Sequence, residues 1–118
     1  MSEVTVEKYM CGEGMYVINA VMDRSLIVAT MLVAISEDGA YVDDVSVSDG
    51  YRRRGYAKLL FNFLDVWAYT SERDITLMVA ESNLPAVNLY ESLGFETLVV
   101  IPNFQGHCKN MLVMRKHR

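Results

Sequence analysis

The sequence predicts one layered α/β domain with elements in the order ββββ-α-β-α-ββ, and three features lead to that expectation. Four β-rich runs with short breaks fill the first half, apolar residues at helical spacing begin after Gly55, and a short apolar run of strand length stands between two helical stretches. The 118 residues suffice for one core and not for two.

Val4 to Tyr9, Met15 to Asp23, Leu26 to Ser36 and Tyr41 to Ser46 are rich in strand-favouring residues. The breaks between them, Cys11 to Gly14, Asp23 to Ser25 and Glu37 to Gly39, are short enough to imply an antiparallel meander. Ala57, Leu60, Phe61, Leu64 and Trp67 then recur at the spacing of an amphipathic helix that continues to about Thr70. Ile75 to Ala80 is nearly all apolar, the pattern of a central strand covered on both faces. Asn83 can cap a second helix with Pro85 in its first turn, Ala86, Leu89, Tyr90 and Leu93 along its apolar stripe, and Gly94 ending it. Phe95 to Ile101 and Lys109 to Met114 read as two closing strands.

Composition narrows the function. Hydrophobic residues make up 52% and charged residues 22%, which excludes a disordered chain. The net charge of −4 argues against a broad nucleic-acid surface, leaving only a local contact through Arg52, Arg53, Arg54 and the Arg115-Lys116-His117-Arg118 tail as a minor alternative. The longest apolar run, Leu26 to Ile35, falls well short of the ~20 residues that cross a bilayer. No positive segment leads into an apolar one after Met1, so a cytoplasmic protein without membrane contact is expected. Cys11 and Cys108 are too few for a disulfide framework or a cysteine metal site; both read as reduced thiols, and no metal is expected.

The chemistry is concentrated in two stretches. In Val45-Ser46-Val47-Ser48-Asp49-Gly50-Tyr51-Arg52-Arg53-Arg54-Gly55-Tyr56-Ala57, a strand runs into an arginine-rich loop that opens a helix. The first N–H groups of a helix lack intrahelical partners and sit at the positive end of its dipole, which suits a pyrophosphate. Gly55 would let the backbone approach phosphate oxygens, Ala57 permits close packing and the arginines add charge. Taken alone, the same residues fit a solvated turn equally well.

The second stretch is Glu81-Ser82-Asn83-Leu84-Pro85-Ala86-Val87-Asn88-Leu89-Tyr90-Glu91-Ser92-Leu93-Gly94-Phe95. Together the two resemble the GCN5-related N-acetyltransferase superfamily, GNAT. Its acetyl-coenzyme A signature, Gln or Arg then x-x-Gly-x-Gly or Ala, is met at Arg52, Gly55 and Ala57, and its later pattern, Asn-x-x-Ala-x-x-Leu-Tyr-x-x-x-Gly-Phe, at Asn83, Ala86, Leu89, Tyr90, Gly94 and Phe95. The resemblance implies a mixed, mostly antiparallel sheet and an acetyl-coenzyme A-dependent N-acetyltransferase acting on an amine of a small molecule or protein. A non-catalytic acyl-coenzyme A-binding or regulatory module is the alternative.

The resemblance also implies roles. The Val45, Ser46 and Val47 backbone would lie beside the pantetheine arm, with an oxyanion-stabilising N–H near Val45. The N–H groups of Arg53, Arg54, Gly55, Tyr56 and Ala57 would hold the pyrophosphate, with Arg52 beside them. Asn83 would bind the cofactor arm, and Tyr90 would protonate the departing thiolate. The base is open. Bacterial ribosomal-type N-terminal acetylases resemble this chain around Tyr90 but carry a glutamate twelve positions earlier, where this sequence has Met78. Asp43 and Asp44 are candidates. By strand alternation only one can face the cleft, Asp44 sharing a face with Val42 and Ser46, and Asp43 one with Tyr41, Val45 and Val47. Glu81 and His107 are further alternatives.

GNAT domains commonly place two helices between their first two strands, and Cys11 to Gly14 leaves no room for them. An open acceptor side is therefore expected, with Val17, Ala20 and Met22 lacking cover and a homodimer closing it. The acidic composition favours cationic acceptors such as polyamines, aminoglycosides or lysine-rich peptides.

Overall fold

A computed structural model describes residues 3–102 and 109–117. Among them the chain forms β1 (Val4–Gly12), β2 (Met15–Met22), β3 (Leu26–Ser36), β4 (Gly39–Val47), α1 (Tyr56–Thr70), β5 (Ile75–Ala80), α2 (Leu84–Ser92), β6 (Glu96–Ile101) and β7 (Met111–Lys116). The expected order holds throughout. His107, Cys108 and Arg118 lie outside the described residues. No helix among the described residues is long and apolar enough to cross a membrane.

The strands make one seven-stranded sheet in the order β1-β2-β3-β4-β5-β7-β6, antiparallel except between β4 and β5. The first hairpin is tighter than expected, because Cys11 and Gly12 remain in β1 and only Glu13 and Gly14 turn. Gly14 has φ 70° and its would-be Cβ lies 2.8 Å from the Ile35 carbonyl oxygen, so only glycine fits where Ile35 N–H bonds Gly14 O. In the second hairpin, Asp23 and Arg24 both take positive φ, 51° and 69°, the backbone of a turn whose twist matches that of its strands.

Directly opposed residues of paired strands share a face. The register puts Ile18, Met31, Val33, Val42, Leu77 and Met114 on one face, where they are buried with Leu60, Phe61 and Leu64 of α1 and Val87 of α2. Both helices pack there, since Phe61 meets Tyr90 of α2 edge-on at 5.5 Å between ring centres. The opposite face has no helical layer among the described residues. Leu32, Met78 and Val113 are half-buried on it.

Two expectations about exposure are corrected. Ala20 is fully buried and Met22 packs against the core, because alternation turns both toward the helices; Val17, one residue out of phase, is on the open face. Strand β5 is interior to the sheet, yet helices cover only its Ile75, Leu77 and Val79 side.

Candidate active site

The parallel pairing of β4 with β5 lasts for three residue pairs, Ala40–Ile75, Tyr41–Thr76 and Val42–Leu77, and then stops. At that point the β3–β4 register shifts, Val33 facing Val42 and Leu32 facing Asp44, so Asp43 is an extra residue: a β-bulge. The bulge bends β4 away from β5 and opens a cleft. It also resets the alternation, since Val42 and Val45 both pack toward the core. The sequence-based parity argument therefore fails. Asp43 and Asp44 are both exposed and both line the cleft, and Asp44, opposite Leu32, is turned to the face away from Val42 rather than sharing its face as an unbroken strand would require.

This cleft, about 230 Å³, is bounded also by Val45, Met78, Ala80, Asn83, Tyr90 and Met111. The Tyr90 ring is fixed by Phe61 and by Phe95, whose ring centre is 5.9 Å away. Burial and then the nearby Asp44 carboxylate raise the Tyr90 phenol above its ordinary pKa, because both disfavour a phenolate. Tyr90 is thus held as a proton donor across the physiological range. Met78 offers only a thioether, and Glu81 lies outside the cleft lining, where its Oε1 accepts from Asn110 Nδ2 at 3.2 Å.

At the other end of β4, Gly55 caps α1 with φ 83° and no side chain caps the helix start. The first helical bond runs from Leu59 N–H to Gly55 O at 2.9 Å, leaving the N–H groups of Tyr56, Ala57 and Lys58 without intrahelical acceptors. Arg53 is also left-handed, φ 62°, so positive φ recurs at Arg53 and Gly55, the alternation that curls backbone amides into an anion-binding nest. The arginines divide their work. Arg52 is tied to Asp49 (3.2 Å) and its Nε donates to Val47 O (3.4 Å); Arg54 lies over the Tyr51 ring at 5.4 Å. Arg53 has no ion pair among the described residues and, with Arg52, lines both neighbouring hollows, whereas Arg54 lines neither.

Those hollows join the two ends. One of about 310 Å³ is walled by Val47, Tyr51, Arg52, Arg53, Gly55, Tyr56, Ala57, Lys58 and Leu89; one of about 710 Å³ by Val45, Ser46, Val47, Arg52, Arg53, Asn83, Pro85, Ala86 and Leu89. Asn83 borders both the larger hollow and the cleft, while its Oδ1 accepts from Ala86 N–H at 3.4 Å as the cap of α2. Pro85 and Leu89, expected from sequence only as parts of the second helix and, for Leu89, of the family pattern, and Lys58 were not among the expected cofactor-binding residues. Helical spacing puts Leu89 one turn from Pro85 and Ala86, and that signal was available. A further hollow of about 330 Å³ lies at the far end of α1, by Asp65 and Lys116, which pair with each other at 2.5 Å.

The family model of the acetyltransferase (GNAT) family matches residues 3–95. Among solved structures, the chain is similar to the ribosomal-protein-S18-alanine N-acetyltransferase of Escherichia coli, with TM-score 0.82 and 23% identity over 90% of this chain and 70% of that one. It is also similar to a GNAT family acetyltransferase of Elizabethkingia anophelis with acetyl-CoA bound, with TM-score 0.86 and 11% identity over 98% of each chain. The IAA acetyltransferase of Bacillus cereus matches with TM-score 0.86 and 10% identity, over 98% of this chain and all of that one (100%). At such identities these likenesses speak for the fold. No curated protein sequence matches. With the family model spanning most of its length, the chain belongs to the acetyltransferase (GNAT) family.

Proposed function

We propose that the chain is an acetyl-coenzyme A-dependent N-acetyltransferase that acetylates a primary amine by direct attack. The observation that carries this reading is the run of adjoining hollows from the unpaired amides at Tyr56, Ala57 and Lys58 to the cleft holding Tyr90 and Asp44. A long, flexible thioester with a pyrophosphate at one end and a reactive carbonyl at the other matches that run. The loop amides, aided by Arg53, would hold the pyrophosphate. Val45 to Val47, without a paired strand on the β5 side, would hold the arm.

In the cleft the ammonium first loses a proton to water or to Asp44. Its nitrogen then attacks the thioester carbonyl, a backbone N–H near Val45 stabilising the oxyanion. As the C–N bond forms and the C–S bond breaks, the sulfur takes the Tyr90 proton and the phenolate recovers one from the new amide nitrogen. Positioning would carry most of the rate, a contribution that can reach about 7–11 kcal/mol. Calorimetric titration with coenzyme A tests the binding half: Gly55→Val should weaken binding by more than about tenfold, since left-handed backbone is strained for valine and its side chain would stand in the phosphate's path. Unchanged affinity would remove the assignment.

Met78 favours a second reading, a non-catalytic acyl-coenzyme A-binding module. Acetyl-coenzyme A binding without thiol release over a broad amine pool would select it. A homodimer is part of the main proposal, and β6 is its footing. This edge strand leaves Leu98, Val99 and Val100 44–54% exposed and carries no charge from Thr97 to Ile101, whereas the opposite edge, β1, carries Glu7 and Lys8. Sedimentation equilibrium should show a dimer that Val99→Lys dissociates.

A further inference from the structure

We infer that the acceptor lies across the open face of the sheet, and that it is the N-terminal segment of a polypeptide whose leading side chains are apolar. This rests on the acetyl-transfer reading above. The cross-strand register aligns Tyr9 of β1, Val17 of β2, Leu32 of β3 and Asp44 of β4 in a single row on that face. Beyond the cleft the row resumes with Met78 of β5 and Val113 of β7. The one charge in the row, Asp44, stands at the cleft edge within electrostatic reach of Tyr90. An ammonium drawn to Asp44 from this face therefore has apolar side chains beneath the rest of its molecule, a charge and surface complementarity unlike that needed by a polyamine or aminoglycoside.

Three observations choose a polypeptide N-terminus over other amines. The row from β1 to β4 spans three strand spacings, about 14 Å, which is the length of about four extended residues. The adjoining row, Glu7, Asn19, Thr30 and Ser46, is polar; Asn19 is buried and accepts from Thr30 Oγ1 (2.6 Å), and Glu7 accepts from Tyr9 OH, so the exposed Ser46, beside Asp44, is the group it offers a main chain near the cleft. Among the described residues the face has no helical wall, so a small molecule could not bury most of its surface there, as small-molecule sites require. Proton chemistry points the same way. Among the described residues, the ionisable groups lining the cleft are the carboxyls of Asp43 and Asp44 and the phenol of Tyr90. An α-amine, pKa about 8, is already partly neutral near pH 7.4, whereas only about one lysine side chain in a thousand is.

The test is thiol release from acetyl-coenzyme A with four acceptors: a peptide amide beginning Met-Leu-Val-Phe, one beginning Asp-Glu-Asp-Ser, phenethylamine and spermidine. The apolar peptide should exceed each of the others in kcat/KM by at least about tenfold. Leu32→Asp should lower its kcat/KM by a similar factor, chiefly through KM, with coenzyme A affinity unchanged. Tyr9→Ala, at a 53% exposed position, should raise KM several-fold and serves if Leu32→Asp does not fold. Equal or better turnover of spermidine, phenethylamine or the acidic peptide overturns the inference while leaving acetyl transfer standing, as does an apolar-peptide KM that neither substitution moves. Absence of thiol release with every acceptor overturns both.

Discussion

The two faces of the sheet are built from the same strands and do different things. On one, alternation delivers Ile18, Met31, Val33, Leu77 and Met114 to α1 and α2, and the contact is closed. On the other, the intervening residues, Val17, Leu32, Met78 and Val113, meet no helical layer among the described residues and stay half-buried. The difference teaches that the packed core is vested in the covered face, while the open face is the one on which the acceptor is proposed to lie. The cleft is where they meet, because the Asp43 bulge separates β4 from β5 and Tyr90 reaches it from the covered side.

The largest expected effects sharpen that contrast. Leu64→Ala, at a fully buried position under α1, should cost about 2–5 kcal/mol in denaturant unfolding, whereas Leu32→Ala on the open face should cost about 1 kcal/mol or less. Equal losses would mean the open face is covered in solution. Next comes chemistry. Tyr90→Phe keeps the ring against Phe61 and Phe95 and removes the donated proton, so kcat should fall about 10²-fold with coenzyme A affinity little changed. A fully active variant would return Tyr90 to the packing of the covered face.

Gly50 and Gly55 offer a finer comparison within one loop. Both are left-handed, φ 85° and 83°, and neither has a neighbour within 4 Å of a would-be Cβ. Alanine at either should cost about 1–2 kcal/mol of backbone strain, but only Gly55→Ala should also weaken coenzyme A, because only Gly55 abuts the free helix amides. The smallest effect is alkaline. With the Tyr90 pKa raised on folding, the unfolded chain releases that proton first, so above about pH 10 the unfolded state binds fewer protons and stability falls as pH rises. Tyr90→Phe should flatten that decline in urea unfolding curves measured between pH 9 and 11, ranges chosen around the ordinary phenol value of about 10.

Much of this architecture was legible because its signals are local. Helical spacing at Ala57, Leu60, Phe61 and Leu64, the Asn83 cap and the Gly55 junction each announce an element from neighbouring residues. What was not legible depends on partners distant in sequence. The Asp43 bulge exists only in the register of β4 against β3, so the side taken by Asp43 and Asp44 could not be counted along β4 alone. Ala20 and Met22 look like bare apolar surface until α1 is known to lie over them. Likewise Arg52, Arg53 and Arg54 are indistinguishable by composition, and only the positions of Asp49 and Tyr51 divide them.

The most direct measurement is the mass of an apolar-start peptide after incubation with the wild-type chain and acetyl-coenzyme A, read against thiol released in the same tube. One acetyl group on the α-amine is expected for each thiol set free, with both rates falling together, about 10²-fold, in Tyr90→Phe. Tight binding of acetyl-coenzyme A with no acetylated product, or thiol release without an acetylated amine, would contradict it.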